Sequence, residues 1–252
     1  MTPPKMLKTA DGRQIAYHLT QGTGPVVVFL GGFKSDMQGS KAIYLEQWAR
    51  TASRGFLRFD YSGHGQSSGR FEDGAIGDWA ADAKAAISAL TTGKVILVGS
   101  SMGGWISLLL ARAMPERLAG LVGIAAAPDF TEDSMWAGFD AGQRQALAEN
   151  GRVELPSEYD DGPYVITKRL IEEGRQNLVL RTPLSLPFPV RLLQGTADLD
   201  VDLSVALRLL EHADGPDIRL TLVKGSDHRF SEPANLRLIR KTIHSLTMAA
   251  KG

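Results

Sequence analysis

The chain predicts an α/β domain, a mostly parallel central sheet flanked by helices, with a helical insertion. Two patterns and one junction carry that reading. Apolar runs such as Val26-Val27-Val28-Phe29-Leu30 and Val95-Ile96-Leu97-Val98 are continuous rather than alternating, the mark of strands covered on both faces. Helical segments fall between such runs, and strands alternating with helices in this way pair in parallel. The junction is Gly99-Ser100-Ser101-Met102-Gly103, placed directly after one apolar run and directly before the helix-like stretch Trp105-Ile106-Ser107-Leu108-Leu109-Leu110-Ala111-Arg112.

In chain order, residues 8–20 read as a short antiparallel hairpin with Asp11-Gly12 as a favoured two-residue turn. Pro25 introduces the first buried strand. Residues 41–52 are helical, with Ile43, Leu45, Trp48 and Ala49 on one face, and Gly55-Phe56-Leu57-Arg58-Phe59 is the next strand. An alanine-rich helix over 78–90, the strand 95–98, a helix from about Gly103 and a strand over 118–125 continue the alternation. It stops after Ala127-Pro128. Residues 129–187 are polar and loop-rich, with helix candidates at 143–149 and 166–174 and no strong strand. The pattern then resumes with Val190-Arg191-Leu192-Leu193, a helix over 201–212, a strand over 218–223 and a last helix over 233–248. The division expected is a core of 1–128 and 188–252 with an insertion of 129–187, too long for an ordinary connection. Such an insertion is read as a cap over an active site; a packing elaboration is the alternative.

Composition excludes several classes. The 252 residues hold 28 basic and 28 acidic side chains, which argues against a nucleic-acid surface. With no cysteine, disulfides, thiolate metal sites and a cysteine nucleophile are excluded. No apolar stretch approaches the ~20 residues of a membrane span. The first residues, Met1-Thr2-Pro3-Pro4-Lys5-Met6-Leu7-Lys8, lack the apolar core of a secretory signal and the arginine richness of a transit peptide, so a cytoplasmic location is expected. The histidines are scattered and no H-E-x-x-H spacing occurs, so neither a metal nor a cofactor is expected.

With 27 glycines in the chain, a lone G-x-S-x-G is weak evidence, and the weight falls on its flanks. Strand, sharp turn and helix are what a nucleophile elbow requires, with Gly99 and Gly103 leaving room for the bend and Ser101 at its tip. A serine needs a base, and the base an orienting group. His18 lies on the hairpin and His212 and His244 on helices; His64 precedes the elbow in a loop. His228, in Gly225-Ser226-Asp227-His228-Arg229, follows a strand and so shares the carboxyl edge of the sheet with Ser101; it is preferred to His64 as base. Asp198, in Gln194-Gly195-Thr196-Ala197-Asp198, is the acid, with Asp200 as its near neighbour and Asp202 as an equally good helix cap. Oxyanion donors are expected from the amide of Met102 and from that of Phe33, in Leu30-Gly31-Gly32-Phe33-Lys34. Trp105 beside the elbow and Trp136, Phe139, Tyr159 and Tyr164 in the insertion could line an acyl pocket or simply form the insertion's own core.

The order Ser101, Asp198, His228, together with Phe59-Asp60-Tyr61-Ser62-Gly63-His64-Gly65-Gln66-Ser67, resembles the α/β-hydrolase family along the whole chain. The latter segment is similar to the family's D-x-x-G-x-G-x-S loop, which implies a structural role for it. Gly31 stands where many relatives carry histidine or proline. The resemblance implies hydrolysis of esters or thioesters through an acyl-serine intermediate, on small acyl conjugates or an acylated protein, by a monomer or weak homo-oligomer. Carbon–carbon bond hydrolysis would keep the same three residues and differ in the insertion. A non-catalytic ligand-binding protein on this frame would be expected to have lost one of them.

Overall fold

The computed structural model describes residues 3–155 and 163–249. Its strands and helices are β1 (Lys5–Lys8), β2 (Gln14–Thr20), β3 (Thr23–Leu30), α1 (Ser40–Thr51), β4 (Arg54–Phe59), α2 (Ile76–Leu90), β5 (Val95–Ser100), α3 (Met102–Ala113), β6 (Leu118–Ile124), α4 (Ala141–Asn150), β7 (Arg152–Leu155), β8 (Tyr164–Thr167), α5 (Lys168–Gln176), β9 (Leu184–Ser185), β10 (Val190–Gly195), α6 (Leu203–His212), β11 (Ala213–Asp214), β12 (Ile218–Val223) and α7 (Pro233–Ala249). Eight strands form one sheet in the order β1-β2-β4-β3-β5-β6-β10-β12, antiparallel where β2 meets β1 and β4 and parallel across the rest.

Because side chains alternate across a strand, the apolar runs feed two cores. Val27, Phe29, Ile96 and Val98 face α1 and α7, meeting Leu45, Trp48, Ile239 and Ile243. Val28, Leu30, Val95 and Leu97 face the other way, onto Trp79 and Ile87 of α2, Trp105 and Ile106 of α3, and the insertion. Every residue of β4 and β5 is buried, and apart from Arg54, Arg58 and Ser100 their side chains are apolar or absent. Arg58 of β4 donates to Glu46 on α1, both almost fully buried, and to the carbonyl of Met37.

Three expectations change. The hairpin turn is five residues, Thr9–Arg13, because the Thr9 amide donates to the Arg13 carbonyl and the Thr9 hydroxyl to Asp11, closing a wider loop than Asp11-Gly12 alone. The insertion is not purely helical: β7 and β8 pair antiparallel, Arg152 opposite Thr167, and β9 pairs with β11. Ile166, expected to open a helix, lies on β8, and α5 begins only at Lys168 under the Thr167 side-chain cap. Residues Thr131–Trp136 form a π-turn, a rare conformation frequent near functional sites.

The insertion is fastened where it leaves the sheet. Asp129 is wholly buried and in the left-handed region (φ 58°), and its carboxylate accepts from the amides of Val179 and Leu180 and from Arg181. Arg181 and Arg208 of α6 both pair with Asp133, so one acidic pair binds the start of the insertion to its end and to α6.

Candidate active site

Parallel pairing places the carboxyl ends of β5, β10 and β12 on one edge of the sheet. Gly195, the last residue of β10, is in register with Val223, the last of β12, so the loops that leave them run side by side. The amide of Ala197 donates to the Ser226 carbonyl and that of Thr196 to the Val223 carbonyl. These bonds set Asp198 against His228.

The loop after β5 is the elbow. Ser101 stands at φ 55°, ψ −118°, a region that costs a non-glycine residue ~1–3 kcal/mol. Its amide donates to Ile124 (2.9 Å), and its carbonyl accepts from Gly104 (2.8 Å) and Ala127 (3.1 Å). The flanking glycines have a plain steric cause. A Cβ on Gly103 would be driven into the Leu30 carbonyl of β3, and one on Gly99 into the Gly103 carbonyl.

Three side chains form a continuous line of hydrogen bonds. The Ser101 hydroxyl donates to His228 Nε2 at 3.1 Å. His228 Nδ1 donates to the Asp198 carboxylate, 2.9 Å to Oδ2 and 3.1 Å to Oδ1. Asp198 Oδ1 also accepts from the amides of Asp200 (3.0 Å) and Val201 (2.9 Å), and Oδ2 from the Gln194 side-chain amide (2.9 Å). Burial pushes the Asp198 carboxyl up, but the bonds from His228, Val201 and Gln194 outweigh it and hold the group below the ordinary aspartate value. Such a line can move a proton from a hydroxyl to an imidazole and hold the resulting imidazolium. Asp200 contributes its amide to Asp198, and Asp202 caps α6 through the Ser204 amide.

The Leu30-Gly31-Gly32-Phe33 loop runs past the serine: a Cβ on Gly32 would stand 3.5 Å from that of Ser101. Lys34 then takes φ 54°, turning the chain away. The Phe33 ring is held edge-on by Phe71 (4.8 Å), Phe130 (5.7 Å) and Tyr164 (5.9 Å), the last from β8. Among the described residues, neither the Phe33 nor the Met102 amide is spent on a protein acceptor.

The other residues singled out from sequence fall in different places. Tyr164 lies beside the Phe33 loop, with the Lys34 ammonium 4.9 Å from its ring. Trp105 is fully buried, its indole donating to the Asn177 carbonyl (3.0 Å), which is a packing position rather than an open wall. Trp136 stacks under the guanidinium groups of Arg175 (4.6 Å) and Arg144 (5.1 Å) and meets buried Phe139 at 6.1 Å, so both belong to the insertion's own core. Tyr159 lies outside the described residues. His64 is buried among the rings of Tyr61, Phe71 and Trp79, and burial pulls its imidazole down to about 4. The loop that carries it is a brace: the Asp60 carboxylate accepts from the amides of Met37 and Gln66, and the Ser67 hydroxyl donates to the Asp60 carbonyl.

Two contributors escaped sequence reasoning. Gln194 donates to the Asp198 carboxylate directly. Lys41, at the start of α1, donates to the carbonyl of Arg229 next to His228, and burial pulls its ammonium down to about 8. A glutamine next to the end of an otherwise apolar run was the available signal.

A model of the alpha/beta hydrolase fold family matches residues 25–161, and the chain belongs to that family. It is similar over 246 residues to palmitoyl-protein thioesterase ABHD10, mitochondrial, of Homo sapiens, with 33% identity across 97% of this chain and 80% of the human protein. The Rattus norvegicus protein of the same name is 34% identical, over 97% of this chain and 82% of its own length. Among solved structures, mouse α/β-hydrolase domain-containing protein 10 superimposes with a TM-score of 0.90 at 32% identity, covering 97% of this chain and 98% of that one. A putative hydrolase from Agrobacterium vitis S4 gives 0.92 at 40% identity, covering 98% and 100%. These names overturn the cytoplasmic expectation, since the curated relatives are named as mitochondrial. The expectation rested on what residues 1–8 lack, and such a lack carries no address, because compartment signals are read by receptors rather than by the folded core.

Proposed function

We propose that this protein hydrolyses carboxylic esters or thioesters of acyl groups through an acyl-serine intermediate. The observation that carries the proposal is the unbroken line from Ser101 Oγ through His228 to Asp198, at 3.1 and 2.9 Å, with Ser101 held at φ 55°. His228 takes the Ser101 proton as Oγ attacks the carbonyl carbon, and Asp198 holds the imidazole with Nδ1 protonated. The amides of Phe33 and Met102 receive the developing oxyanion; losing one such donor costs ~10²–10³ in turnover. Collapse expels the alkoxide or thiolate with the proton from His228. Water, activated by the same imidazole, then releases the acid.

Thioester chemistry is supported by the palmitoyl-protein thioesterase name of relatives matched along 97% of this chain. The test is hydrolysis of p-nitrophenyl esters and acyl-CoA or S-acyl peptide thioesters, from two to sixteen carbons, by the wild-type protein and Ser101→Ala. Activity that vanishes in the variant is expected. Equal activity in both overturns Ser101 as nucleophile, and no turnover or fluorophosphonate labelling by the wild-type protein overturns the enzyme reading.

A further inference from the structure

Gln194 is an anomaly of its strand. It is 1% exposed at the carboxyl end of β10, whose neighbours Leu192 and Leu193 are core residues. Burying a primary amide costs desolvation that its hydrogen bonds must offset, and here they all fall on Nε2, Oε1 being buried without a partner among the described residues. Gln194 Nε2 makes three contacts, and all lie on the loop that carries the acid. They are Asp198 Oδ2 at 2.9 Å, the Val201 carbonyl at 3.2 Å and the Gly195 carbonyl at 3.4 Å. One side-chain amide thus joins the two ends of the loop to the carboxylate midway along it. Oδ2 is the oxygen that His228 Nδ1 also approaches, at 2.9 Å, and the Asp198 side chain is 1% exposed, so water is a poor substitute donor.

We propose that Gln194 is a positioning residue that fixes the Asp198 carboxylate and, by sharing Oδ2, limits how strongly that carboxylate binds protonated His228. The inference rests on the serine-hydrolase reading above. Two donors on one oxygen divide its charge. Removing the amide leaves Oδ2 to His228 alone and strengthens its bond to imidazolium, so reaction at Ser101 should need a more alkaline medium. Among the described residues, the charged groups near His228 include Asp200 on the acid loop, Asp227 and Arg229 on its own loop, and Lys41 of α1 through the Arg229 carbonyl. None of these is itself substituted in a Gln194 variant.

The experiment measures the rate of fluorophosphonate labelling from pH 5 to 9. In that reaction Ser101 Oγ forms a bond to phosphorus, fluoride departs, and His228 takes the hydroxyl proton, so no knowledge of the natural substrate is needed. Wild-type, Gln194→Met, Gln194→Glu and Ser101→Ala proteins are compared. Gln194→Met should be slower at pH 7 by roughly tenfold, with the acid limb moved to higher pH. Gln194→Glu is isosteric and places a second carboxyl against Asp198, so its limb should move up further. Slower labelling by both variants with the limb unmoved would mean that Gln194 only packs, and would overturn the inference while leaving the serine reading intact. Labelling of Ser101→Ala at the wild-type rate would instead overturn the nucleophile assignment itself.

Discussion

Acid should destabilise this protein through His64, by an amount its surroundings set. The imidazole is 4% exposed and ringed by Tyr61 (5.5 Å), Phe71 (5.1 Å) and Trp79 (5.0 Å). Nδ1 donates to the Ser62 carbonyl (3.2 Å), and Nε2 is buried with no partner among the described residues. Protonation would put a charge there with nothing to receive its second N–H. Burial accordingly lowers the group from 6.5 to about 4, although the Ser62 carbonyl acts in the opposite sense. Above pH 6.5 the histidine is neutral whether folded or unfolded and contributes no pH dependence. Between 6.5 and about 4 only the unfolded chain takes the proton, so stability falls as pH falls; below that both states are protonated and the slope ends. At about 1.4 kcal/mol per pH unit, the whole loss is about 3 kcal/mol. His64→Phe removes the proton site and keeps an aromatic ring. The Ser62 carbonyl still accepts from Trp79 Nε1 (3.1 Å), so the cost at neutral pH should stay near 1 kcal/mol. Urea unfolding followed by tryptophan fluorescence at pH 7.5 and pH 4 checks this, since Trp79 reports on the same cluster. The wild-type protein should lose about 3 kcal/mol more than His64→Phe over that interval. Parallel losses in the two proteins would refute the reasoning, because every other titrating group is common to both.

The strain at Ser101 makes a prediction of opposite sign to most active-site changes. Ser101→Gly should unfold at a higher temperature than Ser101→Ala, by roughly 2–4 °C for about 1 kcal/mol; an equal or lower midpoint would show that φ 55° stores no strain. Asp129→Ala should cost about 2–4 kcal/mol, since it leaves two buried amides without an acceptor, while Arg181 keeps Asp133. Hydrogen exchange at Val179 and Leu180 would show the loss first, and unchanged protection there would argue against Asp129 as the fastening of the insertion.

The sheet was legible because its evidence is local. Each apolar run buries both faces, so every residue of 26–30 and 95–98 repeats the same message, and the helices between them leave parallel pairing as the simple solution. Position relative to a strand end then brought Ser101, Asp198 and His228 to one edge before any distance was known. The insertion was read poorly for the converse reason. Strands β7 and β8 have four residues each, too few for periodicity to register, and exist because they pair with one another. The π-turn at Thr131–Trp136 has no sequence signature, and the aromatic residues of the insertion could equally have faced substrate or each other.

By itself, then, the sequence determined the α/β frame, the elbow and the order of its two polar partners, because chain direction and burial periodicity dictate which loops share an edge. Tertiary structure alone decided what surrounds them. Gln194, distinguished in the chain only as a polar residue ending an apolar strand, is brought to Asp198 when the loop after β10 folds back on itself. Tyr164 reaches the Phe33 loop only because β8 crosses from the insertion. His64, weighed behind His228 as a base for its place in a loop before the elbow, is sealed among three rings that no linear spacing predicts. Such contacts join residues tens of positions apart, and their energy comes from desolvation and packing, which exist only once the chain has closed on itself.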